Sequence, residues 1–191
     1  MTTRRSTLDV GLFMFREFLR DRRIASVKTT SPYLVHRICR RLNLSGRRVV
    51  VEFGPGPGCI TRVLLDLLSA DSMLILIETN PEFVKRLRRV RDPRLHVVSG
   101  SAVDVKSILR NIGVPRVDAV VSGIPFSFFD EAPKMKLLTE TRSVLADDGV
   151  FLAYQSSASL EKPLRRIFPR VRVERQLFHI PPLAILEARA A

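Results

Sequence analysis

The chain reads as an α/β protein: a doubly wound, seven-stranded, mostly parallel sheet behind an N-terminal helical extension. Three observations predict it. Short runs rich in Val, Ile and Leu alternate with longer stretches whose apolar residues recur at helical spacing, the pattern of strands joined by crossover helices. The first run, Val49-Val50-Val51, ends in Glu52 and passes directly into Gly54-Pro55-Gly56-Pro57-Gly58. The last two runs, 171–177 and 184–187, have no helical stretch between them, so they pair antiparallel at the end of the sheet.

Residues 1–45 make up the extension and 46–191 the sheet domain. In the extension, 8–23 carries Leu8, Leu12, Phe15 and Leu19 along one helical stripe, widened by Phe18, with Arg16, Arg20, Arg22 and Arg23 elsewhere. Such a basic, aromatic, amphipathic helix has two fates. It lies in a membrane interface through Leu12, Phe15, Arg16, Leu19 and Arg20, or it packs across the domain edge. Thr30 or Ser31 then caps a second helix that Pro32 starts, running through Leu34, Val35, Ile38 and Leu42.

In the sheet domain, strand 49–52 is followed by a helix over 59–68 with Ile60, Val63, Leu64, Leu67 and Leu68 at helical spacing. Strand 74–77 follows, then a helix over 81–90 with Phe83, Val84 and Leu87 inward. The alternation continues with strand 95–98, helix 103–112, strand 118–122, helix 132–145, strand 150–154 and helix 160–168 before the closing pair. There is no internal repeat, low-complexity tract or long linker.

With 191 residues and 46% hydrophobic content, the chain is long enough for one well-buried α/β domain. No run approaches the roughly 18 to 20 apolar residues that span a bilayer, and the N-terminus lacks the apolar core and cleavage site of a signal peptide. The expected location is cytoplasmic. Cys39 and Cys59 make no metal spacing with His36, His96 or His179, so neither a metal nor a disulfide is expected. The net charge of +13, from 32 basic and 19 acidic residues, favours a polyanionic partner, either nucleic acid or an anionic membrane. The basic pairs are scattered, so no single run makes a nucleic-acid arm.

The chemistry-bearing pattern centres on Glu52. Glycine at every second position after it lets the backbone turn sharply and approach a ligand where a Cβ would collide. Glu78 lies 26 positions further on and ends the strand Leu74-Ile75-Leu76-Ile77, where a carboxylate holds the two hydroxyls of a ribose. Two strand-ending acids flanking a glycine loop specify a pocket for a nucleoside cofactor. The loop is not the Gly-x-Gly-x-x-Gly of dinucleotide binders, whose helix N-terminus takes a pyrophosphate. Pro55 and Pro57 each remove a backbone donor, which suits adenosine and an amino-acid tail better than a phosphate.

Ser122-Gly123-Ile124-Pro125-Phe126 closes the fourth strand, whose carboxyl end faces the ligand crevice of an open α/β sheet. Tyr33, His36, Tyr154 and His179 are the polar and aromatic side chains available to line that crevice and to hold an amine or accept its proton.

These residues resemble the class I S-adenosylmethionine-dependent methyltransferases. More narrowly, the chain resembles the short bacterial phospholipid N-methyltransferases, cousins of the ribosomal RNA adenine dimethyltransferases. The resemblance spans nearly the whole chain. It is carried by Phe18-Leu19-Arg20 before Thr30-Ser31-Pro32, by 52–58, by Glu78-Thr79-Asn80-Pro81, by Ser122-Gly123-Ile124-Pro125 where the family has Ser-Gly-Leu-Pro, and by Ile180-Pro181-Pro182. It implies a cofactor, S-adenosylmethionine, leaving as S-adenosylhomocysteine, on Glu52, Gly54, Pro55, Gly56, Gly58, Glu78, Thr79, Ser101, Ala102, Ser122, Gly123 and Ile124. It implies a substrate, the amine of phosphatidylethanolamine and its mono- and dimethyl derivatives, beside Tyr33, His36, Pro125 and Phe126, with Tyr33, Tyr154 and His179 as candidate catalytic groups. The partner implied is an anionic phospholipid surface on the inner face of the cytoplasmic membrane.

Departures from the pattern bear on substrate. Ser101 stands where class I enzymes often carry an aspartate for the adenine amino group, and Asp104 is the nearest acid that a changed loop could bring there. Gly123 stands where adenine- and amide-methylating enzymes carry Asn or Asp as acceptor for the amine, which weakens a nucleic-acid reading. The chain also ends soon after the last strand, where the RNA enzymes continue into a further domain. A small soluble amine or another aminolipid remains compatible with Gly123.

Overall fold

A computed structural model describes residues 32–157, 159–176 and 183–191. The 8–23 helix, Thr30-Ser31, His179 and Ile180-Pro181-Pro182 lie outside them. The described elements are α1 (Pro32–Leu42), β1 (Val49–Phe53), α2 (Cys59–Leu67), β2 (Met73–Glu78), α3 (Pro81–Leu87), β3 (Leu95–Ser99), α4 (Val105–Asn111), β4 (Val117–Ser122), α5 (Glu131–Val144), β5 (Leu145–Gln155), α6 (Glu161–Ile167), β6 (Arg170–Gln176) and β7 (Leu183–Arg189).

The seven strands are ordered β3-β2-β1-β4-β5-β7-β6. β1 pairs in parallel with β2 and β4, and β7 runs antiparallel to both β5 and β6. Because strand side chains alternate between faces, each strand feeds two cores. Val50, Leu74, Leu76, Ala119, Val121, Val150 and Leu152 meet α1, α2 and α3 on one face. Val51, Phe53, Ile75, Ile77, Val120, Phe151 and Ala153 meet α4, α5 and α6 on the other. This is the doubly wound sheet expected from the alternation.

Boundaries move where local chemistry intervenes. β5 starts at Leu145, paired with Val117, and its register shifts before Val150 pairs with Ala119. The extra residues include Asp147 and Asp148, exposed at the irregularity, and the buried Gly149, whereas periodicity alone predicts helix up to 145. The stretch after Ser101 begins as a short 3-10 turn over Ala102–Asp104, because the Ser101 hydroxyl accepts from the Val103 N–H at 3.3 Å.

α1 is tied to the far edge of the sheet. Arg37 and Arg41 both pair with Glu174 of β6, and Arg41 also reaches Glu187 of β7 at 3.2 Å. No helix among the described residues is long and apolar enough to cross a membrane.

Candidate cofactor and substrate site

The strand order reverses between β1 and β4, and a ligand crevice opens beyond the carboxyl ends of strands at such a point. Register brings the ends level: Phe53 pairs with Ile77 on one side and Ser122 on the other, and Glu78 pairs with Ser99. Glu52, the 54–58 loop, Glu78, Ser101 and 122–124 therefore share one edge.

The glycine loop is shaped by its backbone. Gly54, Gly56 and Gly58 sit at φ of 63°, 55° and 85°, in the left-handed region that disfavours side chains. Gly54 is also crowded, since a Cβ there would lie 3.1 Å from Ile124 Cγ1. Its N–H donates to the Ile77 carbonyl at 3.0 Å, and the Gly58 N–H donates to Pro55 at 3.0 Å, which folds the loop back toward β2.

Glu52 is 2% exposed, and Thr61 of α2 donates its hydroxyl proton to Oε2 at 2.6 Å. Burial pushes the carboxyl up from 4.5 to about 7; the Thr61 hydrogen bond opposes this and the nearby Glu78 adds to it. Among the described residues no cation pairs with this buried acid, and a cationic ligand in the crevice would. Glu78, also 2% exposed, accepts from the Gly56 N–H at 3.0 Å and the Asn80 N–H at 2.8 Å, with the Thr79 hydroxyl at 3.5 Å. A carboxylate has about four acceptor positions, so capacity remains for a vicinal diol. The Asn80 side chain accepts from the Glu82 and Phe83 N–H groups and fixes the start of α3, which holds this corner.

Ser101 spends its oxygen on the Val103 N–H, with Ala102 buried behind it. Asp104 does not turn toward the pocket: Lys136 of α5 holds it at 2.9 Å on the surface.

The fourth-strand loop meets an unexpected neighbour. Ser122 pairs with Ala153, so the next positions, Gly123 and Tyr154, stand side by side. A Cβ on Gly123 would lie 2.9 Å from Tyr154 Cζ and closer still to its hydroxyl. The phenol thus fills the place where a side chain at 123 would begin. Burial first, then Glu52 and Cys59, hold the Tyr154 hydroxyl well above its ordinary value of 10, so it stays a neutral phenol. Ser122 is fully buried and its hydroxyl accepts from the Ile124 N–H at 3.3 Å.

One substrate-side expectation comes out differently. Phe126 is fully buried, its ring 6.4 Å from Phe151 edge-on and 5.8 Å from Phe129, so it belongs to the core and not to a substrate surface. Its N–H donates to the Gln155 side chain at 3.0 Å, which pins the loop after Pro125 to the end of β5. Tyr33 is 61% exposed on α1, where Arg37 donates to its hydroxyl at 2.8 Å and stacks over its ring. His36 lines a groove between α1 and α2. Thr61 and Gln155 escaped the sequence reading, because nothing in their spacing marks which side chain each will meet. Cys39 and Cys59 are free thiols, and among the described residues no cluster of His, Cys, Asp and Glu is placed to hold a metal.

The two acids, the proline-bearing glycine loop and this strand order together define a class I S-adenosylmethionine-dependent methyltransferase. A family model described as ribosomal RNA adenine dimethylase matches residues 28–112. An ornithine lipid N-methyltransferase from Singulisphaera acidiphila is 32% identical over 177 residues, covering 91% of this chain and 92% of that enzyme. A probable ribosomal RNA small subunit methyltransferase A from Methanospirillum hungatei is also 32% identical, but over 51% of this chain and 36% of its own length. Among solved structures, the Burkholderia thailandensis 1,6-didemethyltoxoflavin-N1-methyltransferase, with bound S-adenosylhomocysteine, superposes with a TM-score of 0.71 at 16% identity, covering 99% of this chain and 92% of that one; it shows the fold alone. The chain belongs to the S-adenosylmethionine-dependent methyltransferases, in the family that includes the Singulisphaera enzyme. Its cofactor is S-adenosylmethionine.

Proposed function

We propose that the chain N-methylates the primary amine of a membrane aminolipid. Phosphatidylethanolamine and its mono- and dimethyl derivatives, leading to phosphatidylcholine, are the reading drawn from the sequence motifs. An ornithine lipid is the second reading, favoured by the relative that matches along nearly its whole length.

One observation carries the choice of an aliphatic amine over an adenine: Tyr154 occupies the space above Gly123. An adenine amine is planar and needs a side-chain acceptor at that strand end, for which no room is left. A tetrahedral amine needs only its lone pair aimed and its remaining hydrogens held. The Tyr154 oxygen, beside Glu52 and Cys59, accepts one such hydrogen and leaves the lone pair directed into the crevice.

Glu78 and Thr79 would hold the cofactor's ribose, the 54–58 loop its amino-acid tail, Ala102 its base, and Glu52 would complete its positive charge. The bound cofactor supplies an already activated methyl group on a sulfonium. The protein's own task is to orient a neutral amine and exclude water. Tyr154 remains protonated, so it positions the amine and is not the base; the ammonium sheds its proton to solvent as it docks. The buried Phe126 and the Gln155 hydrogen bond keep the Pro125 loop closed against water.

The net charge of +13 supports recruitment to an anionic membrane surface, with the 8–23 segment as the proposed contact. The test is release of S-adenosylhomocysteine by the purified chain given vesicles of either aminolipid mixed with an anionic lipid, or ribosomal RNA. Turnover with vesicles alone is expected; turnover with RNA alone would reverse the reading.

A further inference from the structure

α1 and α2 both start at the reaction edge and run down the same face of the sheet, and their sheet-facing sides share one apolar cluster. Between them lies an open groove of about 910 Å³. Its α2 wall is one helical stripe, Cys59, Val63 and Leu67, spaced four apart and spanning about 12 Å. Its α1 wall includes Val35 and Cys39 and runs on to Leu44 below the helix. Leu67 is 54% exposed although it belongs to the apolar stripe of its helix. Burial pushes the Cys39 thiol up to about 11, so the thiol stays protonated at neutral pH.

Two further features orient the groove. Its upper end is Cys59, next to Gly58 of the glycine loop, and Tyr154 packs against the same apolar cluster that both helices build, so the groove opens on the side of the position assigned to the amine. Its lining also includes Arg40 and Arg62, neither of which has an acidic partner among the described residues. An apolar trough with unpaired cations fits an anionic amphiphile.

We infer that this groove seats the first part of an acyl chain of the lipid whose amine is methylated, with Arg62, one turn below the upper end, holding the anionic group of its headgroup. The inference rests on the proposed lipid substrate. The chain's own 8–23 segment is the rival occupant on length and apolarity. It carries Asp9, Glu17 and Asp21 as well as Arg16, Arg20, Arg22 and Arg23, so charge does not separate the two occupants, and a preference for a chain-bearing ligand does.

Calorimetry on the full chain tests this with dihexanoyl phosphatidylethanolamine below its micelle concentration and glycerophosphoethanolamine as the chainless control. The wild type is expected to prefer the chain-bearing probe by about tenfold or more, the effect of two buried methylenes. Replacing Val63→Gln and Leu67→Gln together should bring that preference to within about threefold, while S-adenosylhomocysteine binding and melting temperature stay unchanged. An unaltered preference in the double variant, or no preference in the wild type, overturns the groove. A large drop in melting temperature also overturns it, since protein would then be covering those side chains. Methylation of full-length lipids by the wild type is read separately: if it occurs while the preference is absent, only the groove fails, and if no lipid is methylated, the proposed function fails.

Discussion

Glu52→Gln is expected to stabilise the cofactor-free protein at pH 8 while weakening its affinity for the cofactor. Glu52 is 2% exposed, and burial pushes its carboxyl from 4.5 to about 7. In the unfolded chain the carboxyl ionises near 4.5, so between 4.5 and 7 the folded protein binds the extra proton. Stability therefore falls as pH rises through that window, and the loss is complete above pH 7. At about 1.36 kcal/mol per pH unit, the full change is up to about 3 kcal/mol. Glutamine keeps the shape and the Thr61 contact but has nothing to ionise. Urea denaturation of both proteins without cofactor at pH 5, 6, 7 and 8 isolates the effect as a difference curve. The variant should gain on the wild type by roughly 2 to 3 kcal/mol from pH 5 to pH 8, equivalent to roughly 5 to 10 °C in melting temperature. Cofactor affinity should fall about 10- to 100-fold, the scale of one charged hydrogen bond. Parallel stability curves would refute the reasoning, because Glu52 would then ionise alike in both states.

Other outcomes follow from the same geometry. Gly123→Ala forces Tyr154 aside and should cost about 1 to 3 kcal/mol with loss of methyl transfer, checked by urea denaturation and turnover. Tyr154→Phe keeps the packing but removes the oxygen, so kcat should drop at least about tenfold while S-adenosylhomocysteine affinity, measured by calorimetry, holds. Gly54→Ala meets both a φ of 63° and Ile124 Cγ1 at 3.1 Å, and should lower stability by about 1 to 2 kcal/mol together with cofactor binding.

Much of the cofactor side was legible because it depends on short-range pattern. A strand that ends in an acid and enters alternating glycines must present both at one edge, and Glu52 and Glu78 arrive there through nearest-neighbour pairing of β1 with β2. The substrate side depends on contacts between distant segments. Gly123 meets Tyr154 only because Ser122 pairs with Ala153, a register that no local signal encodes. Phe126 reads as an available aromatic, yet with Phe129 three positions on across a 3-10 turn it faces the core. Leu67 fits the apolar stripe of α2, but whether that stripe is covered depends on how far α1 stands off, and α1 is anchored elsewhere by Glu174 and Glu187. Tyr33 reads as a crevice-lining candidate, and the sequence does not show that Arg37, one turn on, donates to its hydroxyl.

The central claim is that the methyl group ends on the amine of a membrane lipid. Mass-resolved lipid analysis after incubating the purified chain with methyl-deuterated S-adenosylmethionine and vesicles of phosphatidylethanolamine or ornithine lipid, each with an anionic lipid, tests it directly. The account predicts deuterated headgroups carrying one to three added methyls on one of the two lipids. Lipids of unchanged mass, from protein that demonstrably binds the cofactor, would contradict it.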